Sequence, residues 1–120
     1  MFEDFWRVYP HHSARSKRAM AQAKWNAITG NGLETTVIDS ERNSMRLNLK
    51  ATPEEIVAGV KAYRMSLSQE DMRYAPGAQV WLNQGRWMDF ENAAEVAQRY
   101  DRLQVKVTEL QAAGKLRAVS

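Results

Sequence analysis

His11 and His12 are the only histidines in the chain, and they are neighbours in sequence. Side chains of adjacent residues on an extended segment diverge, and a metal site needs three or four converging ligands. No HExxH pattern or further histidine follows, and there is no cysteine, which removes thiolate ligands, disulfides and thiol nucleophiles together. GxSxG, GxGxxG and GxxxxGK[ST] strings are also missing. Ser40, Ser44 and Ser68 have no base marked in the sequence. The adjacent acids Glu54-Glu55 and Glu70-Asp71 read as the charges of a helix start and of a loop. The expectation is a non-enzymatic chain with no cofactor and no metal site.

Cations offer a different chemistry. The net charge is only +3, but no acid lies between Asp4 and Glu34, where Arg7, Arg15, Lys17, Arg18 and Lys24 accompany both histidines. A basic block in a nearly balanced chain suggests an anionic partner, with a solvated helix face as the alternative. Further on, Arg73, Tyr74, Asn83, Gln84, Arg86 and Trp87 combine donors with flat rings, the mix used to hold nucleic acid strands. The candidate nucleic-acid contacts are therefore Arg15, Lys17, Arg18, Lys24, Arg73, Gln84 and Arg86. Nothing reads as base-specific, and the basic stretch has no helix-turn-helix signature.

These residues need elements to hold them. Phe2, Phe5, Trp6 and Tyr9 fall on one helical face, and Pro10 ends that helix. Ser13 can cap a second helix from Ala14 to about Ile28, with Ala14, Arg18, Ala21, Trp25 and Ile28 along one stripe and Met20, Ala23 and Ala27 widening it. Gly30-Asn31-Gly32 ends it. Leu33 to Ala51 is rich in β-branched and alternating residues around the polar cluster Asp39–Ser44, and reads as a small β-hairpin at about 34–50. Thr52-Pro53-Glu54-Glu55 is a capping box opening a helix to about Ser68.

Trp81-Leu82-Asn83-Gln84-Gly85-Arg86-Trp87 follows the turn residues Pro76-Gly77. Trp81 and Leu82 read as core residues closing the bundle and Asn83 and Gly85 as a helix end. That leaves Gln84, Arg86 and Trp87 for partner contact. After Asn92, an apolar stripe of Ala93, Val96, Tyr100, Leu103, Val107 and Leu110 recurs at spacings of three and four, an a/d pattern. It can pack back on the domain or pair with another chain, and Val96, Tyr100, Leu103, Val107 and Leu110 are the candidate association residues. Gly114 and Leu116 read as the end of this helix.

The ordered set Phe2-x-x-Phe5-Trp6-x-x-Tyr9-Pro10, Lys17/Arg18-x-x-Ala21-x-x-x-Trp25, Thr52-Pro53-Glu54-Glu55-Ile56…Ala62-Tyr63 and Tyr74-x-Pro76-x-x-x-x-Trp81-Leu82-Asn83-x-x-x-Trp87-x-Asp89 resembles a domain of phage and prophage replication-associated proteins, of the replisome-organiser or helicase-loader-like kind. The resemblance spans roughly residues 2 to 90. It implies a module in DNA replication, in the cytoplasm of a bacterial host. Members of that family usually carry a winged-helix DNA-binding region ahead of the domain. Here the motif opens the chain, so a standalone small phage protein and an excised domain are both implied. The family's second proline before WLN is missing, and the 33–51 insert and last helix are additional.

A mainly α fold is expected: a small bundle of four to five helices round a Trp-rich core, with a small hairpin. Residues 1–90 would form the body, and 91–117 an amphipathic helix packing on it or mediating association. At 120 residues, 44% hydrophobic and 26% charged, the chain suits one soluble domain, and no apolar run is long enough to span a membrane. The expected function is nucleic-acid binding through the basic helix, with DNA (single-stranded DNA included) as partner. The alternative is a protein-interaction module contacting a replication or host protein, for helicase loading or host-factor inhibition, or forming a homodimer through the last helix. Convergence of Arg15, Lys17, Arg18, Arg73 and Arg86 on one face would favour the first; dispersal would favour the second.

Overall fold

Five α-helices and one hairpin account for most of the computed structural model, which describes residues 1–11, 15–38 and 40–112. In order these are α1 (Phe2–Val8), α2 (Arg18–Thr29), β1 (Leu33–Ile38), β2 (Ser44–Leu49), α3 (Pro53–Ser66), α4 (Ala78–Asn83) and α5 (Ala93–Ala112), with 3-10 turns at Asp71–Tyr74 and Arg86–Asp89. The expected Ser13 cap, His12 and the Gly114–Leu116 helix end lie outside the described residues. No helix among the described residues is long and apolar enough to cross a membrane.

The core is a cluster of tilted aromatic rings. Phe5 touches Tyr9, Trp25 and Trp81, with ring centroids 5.7, 5.7 and 5.8 Å away. Trp81 in turn meets Tyr63 and Trp87 at 5.7 and 6.3 Å. Trp81 is fully buried, and its Nε1 is the one buried side-chain polar atom without a partner among the described residues. Its N–H therefore costs stability, and the ring is kept for the volume it fills. Trp87 is buried too and belongs to the core.

The Thr52 cap forms: Thr52 Oγ1 accepts from the Glu55 N–H at 3.2 Å and donates to Glu55 Oε1 at 3.3 Å, in place of the backbone bond of a full capping box. The hairpin forms as well, antiparallel, pairing Leu33 with Leu49 and Thr35 with Leu47. With a side-chain period of two, these four share the face turned to the helices. Leu49 is buried in the core, whereas Ile38 and Met45, near the tip, are exposed. A two-stranded hairpin is marginal alone, so its base is what holds it.

The second helix departs from the expectation. It begins at Arg18, not Ala14, with Lys17 as an extended cap residue. The reason is Gln79, which is buried and grips residues 15–17 from α4. Its Oε1 accepts from the Lys17 N–H at 2.9 Å, and its Nε2 donates to the Arg15 carbonyl at 3.0 Å. Ser16 Oγ accepts from the Ala78 N–H at 3.1 Å and so caps α4 from 62 positions away. A Cβ on Gly77 would sit 2.3 Å from the Arg15 carbonyl oxygen, so this crossing needs glycine. The backbone groups that would have started a helix are used as an extended strap. On α2 itself, Ala21, Trp25 and Ile28 are buried as expected, but Met20 and Ala23 face solvent and do not widen the stripe.

α3 and α5 run in the same direction. Ala58 shares a groove with Ala93 and Ala94 at one end, and Lys61 and Arg64 share another with Tyr100, Asp101 and Gln104 at the other. The Lys61 ammonium clamps the pair, 2.6 Å from Asp101 and 6.0 Å from the centroid of the Tyr100 ring. α3 ends at Ser66, and with Lys61 beside Asp101 and Arg64 beside Gln104 about the last six residues of α5 extend beyond it, roughly 9 Å at 1.5 Å per residue.

Candidate functional site

Of the seven residues expected to meet nucleic acid, Arg15 and Arg73 are brought together and Lys17 lies on the same strap as Arg15, while the others have different partners. Arg15 lies on the strap, and its Nη1 donates to the Arg73 and Ala75 carbonyls at 2.6 and 3.3 Å. Arg73 is brought beside it, but its guanidinium pairs with Glu70 at 2.8 Å and lies 5.3 Å from the Tyr74 ring centroid. Arg18 turns toward α1, where it pairs with Glu3 and covers the Phe2 and Trp6 rings at 5.5 and 5.4 Å. Arg86 lies 5.1 Å over the Tyr63 ring, with Asp89 at 3.7 Å. Gln84 belongs to a polar groove of about 430 Å³ with Asn83, Thr35, Thr36 and Ile38. There Asn83 Nδ2 donates to Thr35 Oγ1 at 3.2 Å, tying the hairpin to α4. Lys17 is exposed and Lys24 half-buried, and neither makes a side-chain ion pair among the described residues.

The local sequence explains each arrangement. Gly85 adopts a left-handed conformation with φ 63°, which turns the chain sharply out of α4 into the Arg86–Asp89 turn. That turn rests on α3 at Gly59, where a Cβ would lie 2.4 Å from Trp87 Cβ. Arg86 is thereby delivered onto Tyr63. Burial pushes the Tyr63 phenol above its ordinary value of 10, against the opposing pull of Arg86. Burial raises Tyr9 in the same way; the neighbouring Tyr63 adds to this and Arg86 opposes it. Tyr9 donates to the Pro76 carbonyl at 2.5 Å.

His11 is also spent internally. Its Nε2 lies 2.7 Å from the Trp6 carbonyl and its Nδ1 2.8 Å from Ser16 Oγ. The carbonyl can only accept, so Nε2 carries the proton and Nδ1 accepts from the serine, whose oxygen receives the Ala78 N–H. The histidine joins α1, the strap and α4 in one chain of hydrogen bonds.

The association stripe divides in two. Val96 is half-buried, and Tyr100 packs against the core beside the buried Ala97. Farther along, Leu103 is 48% and Val107 40% exposed, and Leu110 is half-buried. Past Tyr100 the stripe continues, but Leu103 and Val107 are exposed.

Two grooves at the ends of the α3–α5 pair had no place among the candidates. One, of about 340 Å³, is lined by Arg7, Lys61 and Arg64 with Tyr100, Asp101 and Gln104. Arg64 there donates to the Val8 carbonyl at 2.8 Å and Arg7 pairs with Asp4. The spacing of Lys61 and Arg64, three apart on one helix, was the available signal. The other, of about 400 Å³, has an apolar floor of Ala58, Trp87, Met88 and Phe90 under Glu54, Glu55 and Glu91. Its residues come from three segments of chain, and no single stretch marks them. Among the described residues no group of three or more His, Asp or Glu is placed to hold a metal ion. No protein-family model, curated protein or solved structure matches this chain.

Proposed function

We propose that this chain is a non-enzymatic protein-interaction module that self-associates through the C-terminal half of α5. The observation that carries this reading is the exposed pair Leu103 and Val107, on a stripe whose first half already packs on a helix. Exposed apolar residues scattered singly mean little, but residues continuing a helix-packing seam past its cover retain the geometry of that seam.

The partner is a second copy in antiparallel orientation. In a parallel pair the two α3 helices, each lying on its own seam up to Tyr100, would collide. Turned end for end, the two overhangs lie together with the bodies at opposite ends. Lys106 and Glu109 give the overhang both signs of charge, so such a pair faces no net repulsion. The stripe is short against the roughly 800 Å² per partner of a stable interface, so the dimer is weak and concentration-dependent.

Nucleic-acid binding loses support because Arg15, Arg18, Arg73 and Arg86 each have a partner within the fold. The phage replication setting rests on a resemblance in which aromatic residues are prominent. Those residues (Phe2, Phe5, Tyr9, Trp25, Tyr63, Trp81, Trp87) are the core itself, so the likeness speaks for a shared architecture.

Sedimentation over a range of concentrations tests the proposal. Wild-type chain is expected to shift from monomer toward dimer, and a Leu103→Ser/Val107→Ser chain to remain monomeric with the same melting temperature. A wild-type monomer at every concentration rejects it. If that monomer also binds DNA with a steep salt dependence, the nucleic-acid reading takes its place.

A further inference from the structure

The groove at the N-terminal ends of α3 and α5 has the composition of a peptide site. Its floor is the flank of the Arg86–Asp89 turn. Trp87 is fixed there by its contact with Gly59, Phe90 is half-buried and Met88 is 59% exposed. Ala58, Ala93 and Ala94 form the walls and keep them low. Glu54, Glu55 and Glu91 stand on the rim. Glu55 is engaged by Thr52, but Glu54 and Glu91 have no side-chain partner among the described residues.

Two helix N-termini point toward this place, and their partial charges of roughly +0.5 each favour an anion. Three carboxylates outweigh them, so the local field remains negative. That field sits on a chain whose net charge is +3. A cationic ligand is therefore repelled by the molecule as a whole and drawn to this groove in particular. The exposed thioether and ring faces suit an apolar side chain, and aromatic faces also attract guanidinium or ammonium groups.

We infer that the groove between Glu54, Met88, Phe90 and Glu91 binds a basic amphipathic peptide segment, its apolar side chains on Met88 and Phe90 and its Lys or Arg side chains against Glu54 and Glu91. This site is separate from the α5 overhang and does not rest on the self-association proposal.

The test uses the full chain and three fluorescein-labelled twelve-residue peptides: alternating Lys and Leu, alternating Glu and Leu, and alternating Lys and Ser. Fluorescence anisotropy should show binding of the Lys–Leu peptide alone, weakening as salt is raised. Glu54→Gln/Glu91→Gln should lower its affinity about five- to tenfold, and Met88→Ala about threefold. Both variants change exposed residues and should keep the wild-type circular dichroism melt. Leu103→Ser/Val107→Ser should bind the peptide as wild type does, which separates the two surfaces. Equal binding of all three peptides, no binding of the Lys–Leu peptide, or unchanged affinity in Glu54→Gln/Glu91→Gln would overturn the inference.

Discussion

On the strap and at the start of α2, the exposed guanidinium groups of Arg15 and Arg18 have partners in the fold; farther along α5, the exposed side chains of Leu103 and Val107 have no cover among the described residues. Arg15 ends on two carbonyls and Arg18 on a carboxylate and two rings. Leu103 and Val107 meet no equivalent cover. Residue type alone would have assigned the roles the other way round. What separates the regions is the supply of partners. The strap crosses a crowded junction of α1, α4 and the 71–75 turn, where orphaned carbonyls and a glutamate await a donor. The end of α5 extends past the last turn of α3, where Val107 has no cover among the described residues. A cation is a contact surface only if the fold leaves it unsatisfied, and the same is true of a leucine.

The comparison can be broken by experiment. The largest effect belongs to the core beneath the strap: Trp81→Ala should cost about 3–5 kcal/mol, read as a large fall in the urea midpoint, since Phe5, Tyr9, Tyr63 and Trp87 all rest on that ring. Next comes the clasp. Gln79→Ala leaves the Lys17 N–H and the Arg15 carbonyl without their partners, and about 2 kcal/mol should be lost. Gln79→Glu should recover only part of that loss, because a carboxylate can accept from Lys17 but cannot donate to Arg15. A Gln79→Ala chain as stable as wild type would mean the strap is decoration.

Alkaline pH should act on the same junction. The folded-state values of Tyr9 and Tyr63 lie above the ordinary 10 because burial disfavours the phenolate. The unfolded chain therefore releases these protons first. Their contribution is complete below about pH 10 and falls as pH rises beyond it. Urea midpoints at pH 8 to 11 should drop in the upper part of that range. Tyr9→Phe should flatten the drop while lowering stability at pH 8 through loss of the Pro76 bond.

Smaller still, Arg18→Ala should cost about 1 kcal/mol through its ion pair and ring contacts. Leu103→Ser should change thermal stability by about 0.5 kcal/mol or less. If Leu103→Ser proved the more damaging of these two, the overhang would be covered by the body and the contrast would fail.

The aromatic frame was legible in the sequence because it is periodic. Phe2, Phe5 and Tyr9 repeat on one helical face, and Trp25, Tyr63 and Trp81 each sit on the apolar stripe of their own helix. The Thr52 cap was legible because capping is a local matter of four residues. The strap was not. Arg15–Lys17 continues a stretch of good helix formers, and an amide arriving from position 79 holds these three residues extended. The fate of Arg15 and Arg73 was hidden for the same reason, since their partners are set by a crossing between distant segments. The α5 stripe was visible, but where its cover ends depends on where α3 stops beside it. The acid-rimmed groove drew on residues from 54 to 94 and had no signature at all.

The clasp at Gln79 has a consequence for how the chain comes off a ribosome. The strap and α1 are made first, yet Tyr63, Arg64, Pro76, Gln79 and Trp81, which hold them, follow some 55 to 75 positions later. At about 5–20 residues per second, the nascent aromatic face of α1 spends roughly 3 to 15 seconds without its partners. In that interval the same surface that will become the centre of the fold is available to whatever waits at the exit tunnel, so any chaperone that attends this protein should meet it at Phe2, Phe5 and Trp6.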